Sequence, residues 1–166
     1  MRGFTVFFAI LVASLALAIG LAIYDITVRG LYLTTTATQS QYAIYAADTG
    51  AECALFWDAK WGGAGSAFGS TTNSTWPASG SGVFCNKQDI STLWDTSQKG
   101  ATFATTTFTI QVSAQSQSIT TTCATVNVGK YKTPSGVSYT TIVSHGYNTC
   151  TPGARNQLER VFQINY

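Results

Sequence analysis

The chain opens with a long apolar segment. No charged residue occurs between Phe4 and Asp25, and three small or polar residues alone interrupt the hydrophobic run 4–23, namely Thr5, Ser14 and Gly20. A helix of 20 residues spans roughly 30 Å, which is the thickness of a bilayer core. Small-residue sites lie inside this run without a polar segment before them, which disfavours a cleaved secretion signal. The pattern predicts a membrane-spanning helix over residues 4–24, and Arg2 favours a cytoplasmic N-terminus with the rest of the chain translocated.

The helical pattern continues beyond the apolar run. Residues 25–57 contain no proline, and apolar or small positions recur there at steps of three or four, at Tyr42, Tyr45, Ala46, Thr49, Cys53 and Phe56. This spacing is typical of one stripe of an amphipathic helix. We therefore expect a single helix over residues 4–59, about 80 Å long and loosened near Gly30 and the polar Thr34–Thr36. Its second part, 25–59, would be an amphipathic spine for a folded domain at 60–166.

A change of hydrophobic period marks the second half of the chain. Residues 61–82 are rich in Gly and Ser, which predicts a loop. We expect a short strand at Phe84 and Cys85 and a helical turn at residues 89–94. From Thr102 onward, apolar residues alternate with polar ones, which predicts half-buried strands. The alternating positions fall in four groups: Phe108, Ile110 and Val112; Ala124, Val126 and Val128; Tyr139, Thr141 and Val143; Phe162, Ile164 and Tyr166. The expected fold class is α+β, with the helix stripe packed on a four-stranded antiparallel sheet.

The four cysteines all follow the apolar run, and their spacings exclude a CxxC metal or redox motif. In an oxidising compartment an even set predicts two disulfides, for which three pairings are possible. We favour Cys53–Cys85 and Cys123–Cys150, since each closes a loop of roughly 30 residues and would add about 3–4 kcal/mol in the chain-entropy estimate. Four reduced, buried cysteines are the alternative.

Composition and charge narrow the function classes. Charged residues make up 10% of the chain and aromatic residues 13%, which disfavours a disordered segment. His145 is the one histidine; no acidic residue near it in sequence suggests a triad, and no cluster has metal-ligand spacing. We therefore predict no catalytic site, metal or cofactor. Residues 99–166 carry five basic side chains and one acidic, whereas residues 25–98 carry three basic and six acidic, so a basic face could bind DNA phosphates or the acidic face of a neighbouring subunit.

Three segments of the sequence together resemble a known family. Gly3-Phe4, preceded by Arg2 and followed by the apolar run, is similar to a prepilin peptidase site. The helix end AADTGAECALFWD (46–58) and the closing segments SHGYNTC and RNQLERVFQINY, within residues 144–166, are similar to those of minor pilins. The chain thus resembles type IV pilins and pseudopilins, particularly minor pilins of the PilX-like kind, over its whole length.

The resemblance implies a life cycle. Prepilin peptidase would remove the leader 1–3 between Gly3 and Phe4, and the new N-terminus at Phe4 would be methylated. The protein would wait in membrane lipid of the inner membrane with its domain outside, and then join other pilin subunits in an extracellular filament. The small residues Ala9, Ala13, Ala16 and Gly20 would allow close helix approach during that assembly.

One position departs from the family pattern. The family usually places a glutamate fifth after the cut, where it neutralises the terminal amine of a neighbouring subunit, but that position is Phe8 here. A buried, unpaired amine is costly, so the departure favours a minor subunit over a major one. The alternative from a different class is a single-pass, membrane-anchored extracytoplasmic binding protein, such as an adhesin or a DNA-binding protein with a surface ligand.

Overall fold

One continuous α-helix, α1, occupies Arg2–Lys60 in the computed structural model, which describes residues 2–60, 66–69, 82–92, 95–113 and 121–166. This confirms the predicted single helix, which continues through Gly30 without a break. In its Thr-rich part the hydroxyls bond back to carbonyls one turn earlier: Thr34 Oγ1 donates to Gly30 O at 2.8 Å and Thr38 Oγ1 donates to Thr34 O at 3.0 Å. These hydroxyls therefore have hydrogen-bond partners within the helix itself.

The chain divides into two compact units, one ending at Thr38 and the other beginning at Gln39. In the first unit the large apolar side chains from Phe4 to Leu33 are exposed. Its most apolar 18-residue window has a mean hydropathy of 2.8, and none of that window is buried. By length and composition, this helix can cross a bilayer.

The described residues of the second unit contain an antiparallel sheet of five strands. The four predicted strands are present as consecutive neighbours: β4 (Phe103–Ser113), β5 (Thr121–Lys132), β6 (Ser138–Tyr147) and β7 (Glu159–Asn165). A further strand that we did not predict, β3 (Asp95–Lys99), pairs with β4 at the edge. A separate two-stranded ladder joins β1 (Phe84–Cys85) to β2 (Gln88–Asp89), followed by a 3-10 turn at Ile90–Thr92. The predicted loop 61–82 lies almost entirely outside the described residues.

The pairing register decides which side chains face the helix. Phe108 is paired with Val126, Val126 with Ser144, and Ser144 with Phe162, so these positions share one face of the sheet. On β6 the buried residues are therefore Ile142 and Ser144 with their alternate neighbours. The set that we grouped from alternation on this strand, Tyr139, Thr141 and Val143, lies on the opposite, outer face.

The helix packs on the sheet through small residues. The predicted stripe is confirmed at Ala46, which is buried, and at Cys53, which packs against the core, but not at its large aromatic members. Tyr45 is 65% exposed and Phe56 is 52% exposed. Most of the buried small residues follow a predicted stripe residue by one position in the sequence: they are Ala43, Ala46, Ala47, Gly50, Ala51 and Ala54. Small side chains allow the helix backbone to approach the sheet closely, and we call this set the alanine seam. A Cβ built on Gly146 would lie 2.7 Å from Ala47 Cβ and still closer to the backbone of residues 43 and 47.

Both favoured disulfides are present. Cys53 on α1 is bonded to Cys85 on β1, and Cys123 on β5 is bonded to Cys150 in the loop after β6. The first bridge holds the β1 ladder against the helix, where the Trp57 indole also donates a hydrogen bond to the Phe84 carbonyl at 2.9 Å. The core between helix and sheet includes the stacked rings of Phe68 and Phe108, whose centroids are 5.7 Å apart.

Candidate functional site

The sequence-predicted assembly residues share one face of α1. A shallow apolar groove runs along the first helical turns and is lined by Phe4, Phe8, Ala9, Val12, Ala13 and Ala16. The rings of Phe4 and Phe8 stack over it with centroids 6.4 Å apart. Gly20 lies one turn beyond Ala16, and nothing approaches within 4 Å of a Cβ built there. Gly3 is helical, and its immediate neighbour Phe4 is 74% exposed.

A buried ionic cluster, which sequence reasoning missed, lies near the end of α1. Asp58 receives the Lys130 ammonium on Oδ1 at 2.5 Å and the Tyr166 hydroxyl on Oδ2 at 2.5 Å, and Ser66 donates a further hydrogen bond to Oδ1. The Asp58 side chain is 5% exposed and that of Lys130 is 17% exposed. The cluster therefore joins the helix to β5 and to the chain following β7.

The protein environment keeps Asp58 ionised. Burial by itself would raise the pKa of this carboxyl, but hydrogen bonds from Lys130, Ser66 and Tyr166, together with the Lys130 charge, hold the pKa below its ordinary value. Burial and the Asp58 carboxylate raise the pKa of Tyr166, so its hydroxyl remains a donor. A buried carboxylate with a cation and two hydroxyl donors is a satisfied structural group. The sequence could not predict this cluster from local spacing, because its residues are far apart along the chain.

A second polar cluster lies on the outer face of the sheet. His145 Nδ1 is 2.5 Å from Glu159 Oε1 on the neighbouring strand, and the Tyr147 hydroxyl donates to the same oxygen at 3.2 Å. The hydrogen bond from His145 is the largest cause of a lowered Glu159 pKa. Ser144 is fully buried on the opposite face, so, as the alternation of the strand predicts, Ser144 and His145 do not meet.

A recess of about 350 Å³ opens on this outer face, beside the loop 148–158. Polar side chains line it from β4, β5, β6 and the loop: Thr109, Thr125, Tyr147, Thr149 and Gln157. The Cys123–Cys150 disulfide and Pro152 provide the rest of its described lining. We call it the threonine recess. Sequence analysis did not identify it, because its residues come from four segments that are brought together only by the sheet register.

Two basic residues of the second half contact α1. Lys130 is bound to Asp58 on the helix side of the sheet, and the Arg160 Nε donates to Ser40 Oγ at 3.0 Å. The described residues include no group of three or more His, Cys, Asp or Glu side chains that could hold a metal ion.

Comparisons with protein-family models, curated proteins and solved structures find no match to this chain.

Proposed function

We propose that this protein is a structural minor subunit of a type IV pilus or a related filament. In this proposal the chain is inserted in the inner membrane, and prepilin peptidase cuts it between Gly3 and Phe4. The mature protein then assembles with other pilin subunits through its N-terminal helix. The observation that carries the proposal is the two-part character of α1. One unbroken helix has exposed apolar side chains over residues 4–33 and the alanine seam over residues 43–54.

The exposed part of α1 suits two environments. A helix that is apolar all round is stable in lipid, and the same surface is stable in a bundle of like helices. The groove at Ala9, Ala13 and Ala16 is a surface that a neighbouring helix can enter closely, as small residues permit in membranes. Transfer from lipid to filament then requires no refolding of this segment.

The second part of the proposal is the location of the domain. Two disulfides persist in an oxidising compartment, and both lie in the second unit. This supports an extracytoplasmic domain, on the opposite side of the membrane from Arg2. Phe8 supports the minor role, because it offers no charge to a neighbour's terminal amine.

The mass of the mature N-terminal peptide, from native membranes or sheared filaments, tests the proposal. We expect a start at Phe4 carrying one additional methyl group. Gly3→Val should leave the leader attached, whereas Gly20→Ala, which meets nothing within 4 Å, should be processed like the wild type. A native protein that begins at Met1 or Arg2 would overturn the pilin proposal, and one that begins near residue 20 would identify a cleaved secretion signal.

The second candidate is a membrane-anchored extracytoplasmic binding protein, and the threonine recess favours it. Such a protein needs the helix only as an anchor and has no reason to lose three residues. The same mass measurement therefore separates the two candidates.

A further inference from the structure

The threonine recess is a pre-formed concavity. The Cys123–Cys150 disulfide ties its loop to β5, and the Cys150 amide donates to the Thr121 carbonyl at 3.2 Å. Across the base of the loop, the Asn148 side chain accepts from the Leu158 amide at 2.7 Å and donates to the Asn156 carbonyl at 3.0 Å. A ligand would therefore not have to order this wall on binding, which removes one of the usual costs of association.

The recess retains hydrogen-bonding capacity. Thr109 Oγ1 and Thr125 Oγ1 lie 3.1 Å apart; one donates to the other, so the pair keeps one free hydroxyl hydrogen and several lone pairs. Gln157 accepts from the Gly153 amide at 3.0 Å and donates to the Thr149 carbonyl at 3.5 Å, which leaves a second amide hydrogen. The site thus presents donors and acceptors at close spacing.

Charge and strand pairing restrict the ligand class. None of the described residues that line the recess is charged, so it lacks the cations that hold phosphate or carboxylate groups. Beneath it, β5 and β6 are paired on both sides. On the outer edge of β4, β3 pairs as far as Thr107 and the side chains of Asn86 and Gln88 form hydrogen bonds with the Gln111 backbone, so no long edge is free among the described residues for an added peptide strand. A volume of about 350 Å³ is at the small end of the range for small-molecule sites, roughly 300–1,000 Å³.

We propose that the threonine recess binds one ring of a neutral sugar. A pyranose ring has a polar edge of hydroxyls and apolar faces of C–H groups. The hydroxyls of Thr109 and Thr125 and the amide of Gln157 match the polar edge, while the Tyr147 ring, the disulfide and Pro152 provide apolar surface. The inference does not rest on filament assembly, because the recess is built entirely from residues 109–157.

Saturation-transfer NMR on the full chain tests this inference. The protein is held in micelles of a zwitterionic detergent without a sugar headgroup, and the probes are glucose, galactose, mannose and N-acetylglucosamine at about 10 mM. Sialic acid and methyl phosphate, which both carry C–H protons, serve as charged comparators. We expect transfer to the C–H protons of at least one neutral sugar and to neither charged probe.

Matched variants locate the binding site. Thr125→Phe fills the recess and should weaken binding at least roughly tenfold, while Thr141→Phe, the same change on the same outer face away from the recess, should retain it. Thr109→Val removes one hydroxyl at nearly constant volume and should weaken binding by about tenfold. Circular dichroism spectra that match the wild type show that each variant is folded.

Three results would overturn the inference. They are the absence of transfer to every neutral sugar, binding of the charged probes alone, and equal affinity of the wild type and folded Thr109→Val and Thr125→Phe variants. Because binding is measured on unassembled protein, failure here leaves the processing experiment, and hence the proposed function, unaffected.

Discussion

Gly146 offers the sharpest test of how α1 is seated on the sheet. It lies on β6 directly beneath the helix, where a Cβ would meet the Ala43 carbonyl oxygen, the Ala47 nitrogen and Ala47 Cβ. The first two atoms belong to the helix backbone and cannot rotate away. Gly146→Ala must therefore move the helix from the sheet, or bend the strand, over part of the alanine seam.

The size of the effect follows from that displacement. The closest contact is with the Ala43 carbonyl oxygen and is shorter than the 2.7 Å to Ala47 Cβ, against ordinary van der Waals contact from 3.4 Å. Relieving it requires a shift of about 1 Å, which forfeits about half of the dispersion attraction of each contact that it opens. Overpacking usually costs about 1–3 kcal/mol, and we expect Gly146→Ala at the upper end, about 3 kcal/mol. Gly50→Ala should cost less, because its Cβ meets side chains, Ser144 Oγ at 2.6 Å and Val126 Cγ2 at 2.8 Å, and alanine gains about 1 kcal/mol in helix propensity.

Urea unfolding of the full chain in micelles, followed by tryptophan fluorescence, measures these differences by linear extrapolation. Gly30→Ala is the matched control, since nothing lies within 4 Å of its Cβ, and it should leave the unfolding midpoint of the domain unchanged. The expected order of destabilisation is Gly146→Ala, then Gly50→Ala, then Gly30→Ala. If the stability of Gly146→Ala is within about 0.5 kcal/mol of the wild type, close backbone approach is not what holds the helix on the sheet.

Two further predictions concern buried polar groups. Asp58→Asn leaves Lys130 without its carboxylate and should lower the free energy of unfolding by roughly 3 kcal/mol near neutral pH. Because the pKa of Asp58 in the folded protein is lowered from its ordinary value, the stabilisation is present above about pH 4 and is lost as the pH falls further. Urea titrations at several pH values should show the difference in stability between wild type and variant narrowing only below about pH 4. A difference that stays constant there would contradict the assignment. The buried Thr106 hydroxyl has no hydrogen-bond partner among the described residues. Thr106→Val keeps the shape of the side chain and should raise the free energy of unfolding by about 1 kcal/mol. A loss of stability in the same unfolding assay would show that the hydroxyl does have a hydrogen-bond partner.

Much of the fold was predictable because its signals are local. The helix follows from a proline-free run, the four main strands from period-two alternation, and the disulfides from loop lengths. The buried face of the helix was predicted only in part, at Ala46 and Cys53. Tyr45 and Phe56 are more hydrophobic than alanine, so a stripe drawn through large residues misses a seam whose requirement is small size. Strand β3 was not predicted, because its sequence DTSQK, residues 95–99, does not alternate apolar and polar residues.

The candidate sites likewise differ in whether local or long-range features of the sequence define them. Of the groove residues, Ala9 and Ala13 follow from helical spacing, whereas Phe8 was identified through the family resemblance. The Asp58–Lys130 pair and the threonine recess depend on the register of distant strands, and register is determined by the whole sheet. Sequence reasoning could name these residues only after the pairing of β4, β5 and β6 was known.

The packing of the helix on the sheet has a mechanical consequence within the second unit. A pull along the axis of the helical residues 39–60 acts on the alanine seam as shear. Under shear, the contacts from Ala43 to Ala54 bear load together, whereas peeling would break them one at a time. Near the C-terminal end of the seam, the Cys53–Cys85 disulfide links the helix covalently to β1 and so resists further displacement. Tension along the helix axis is thus the direction in which this joint is hardest to open.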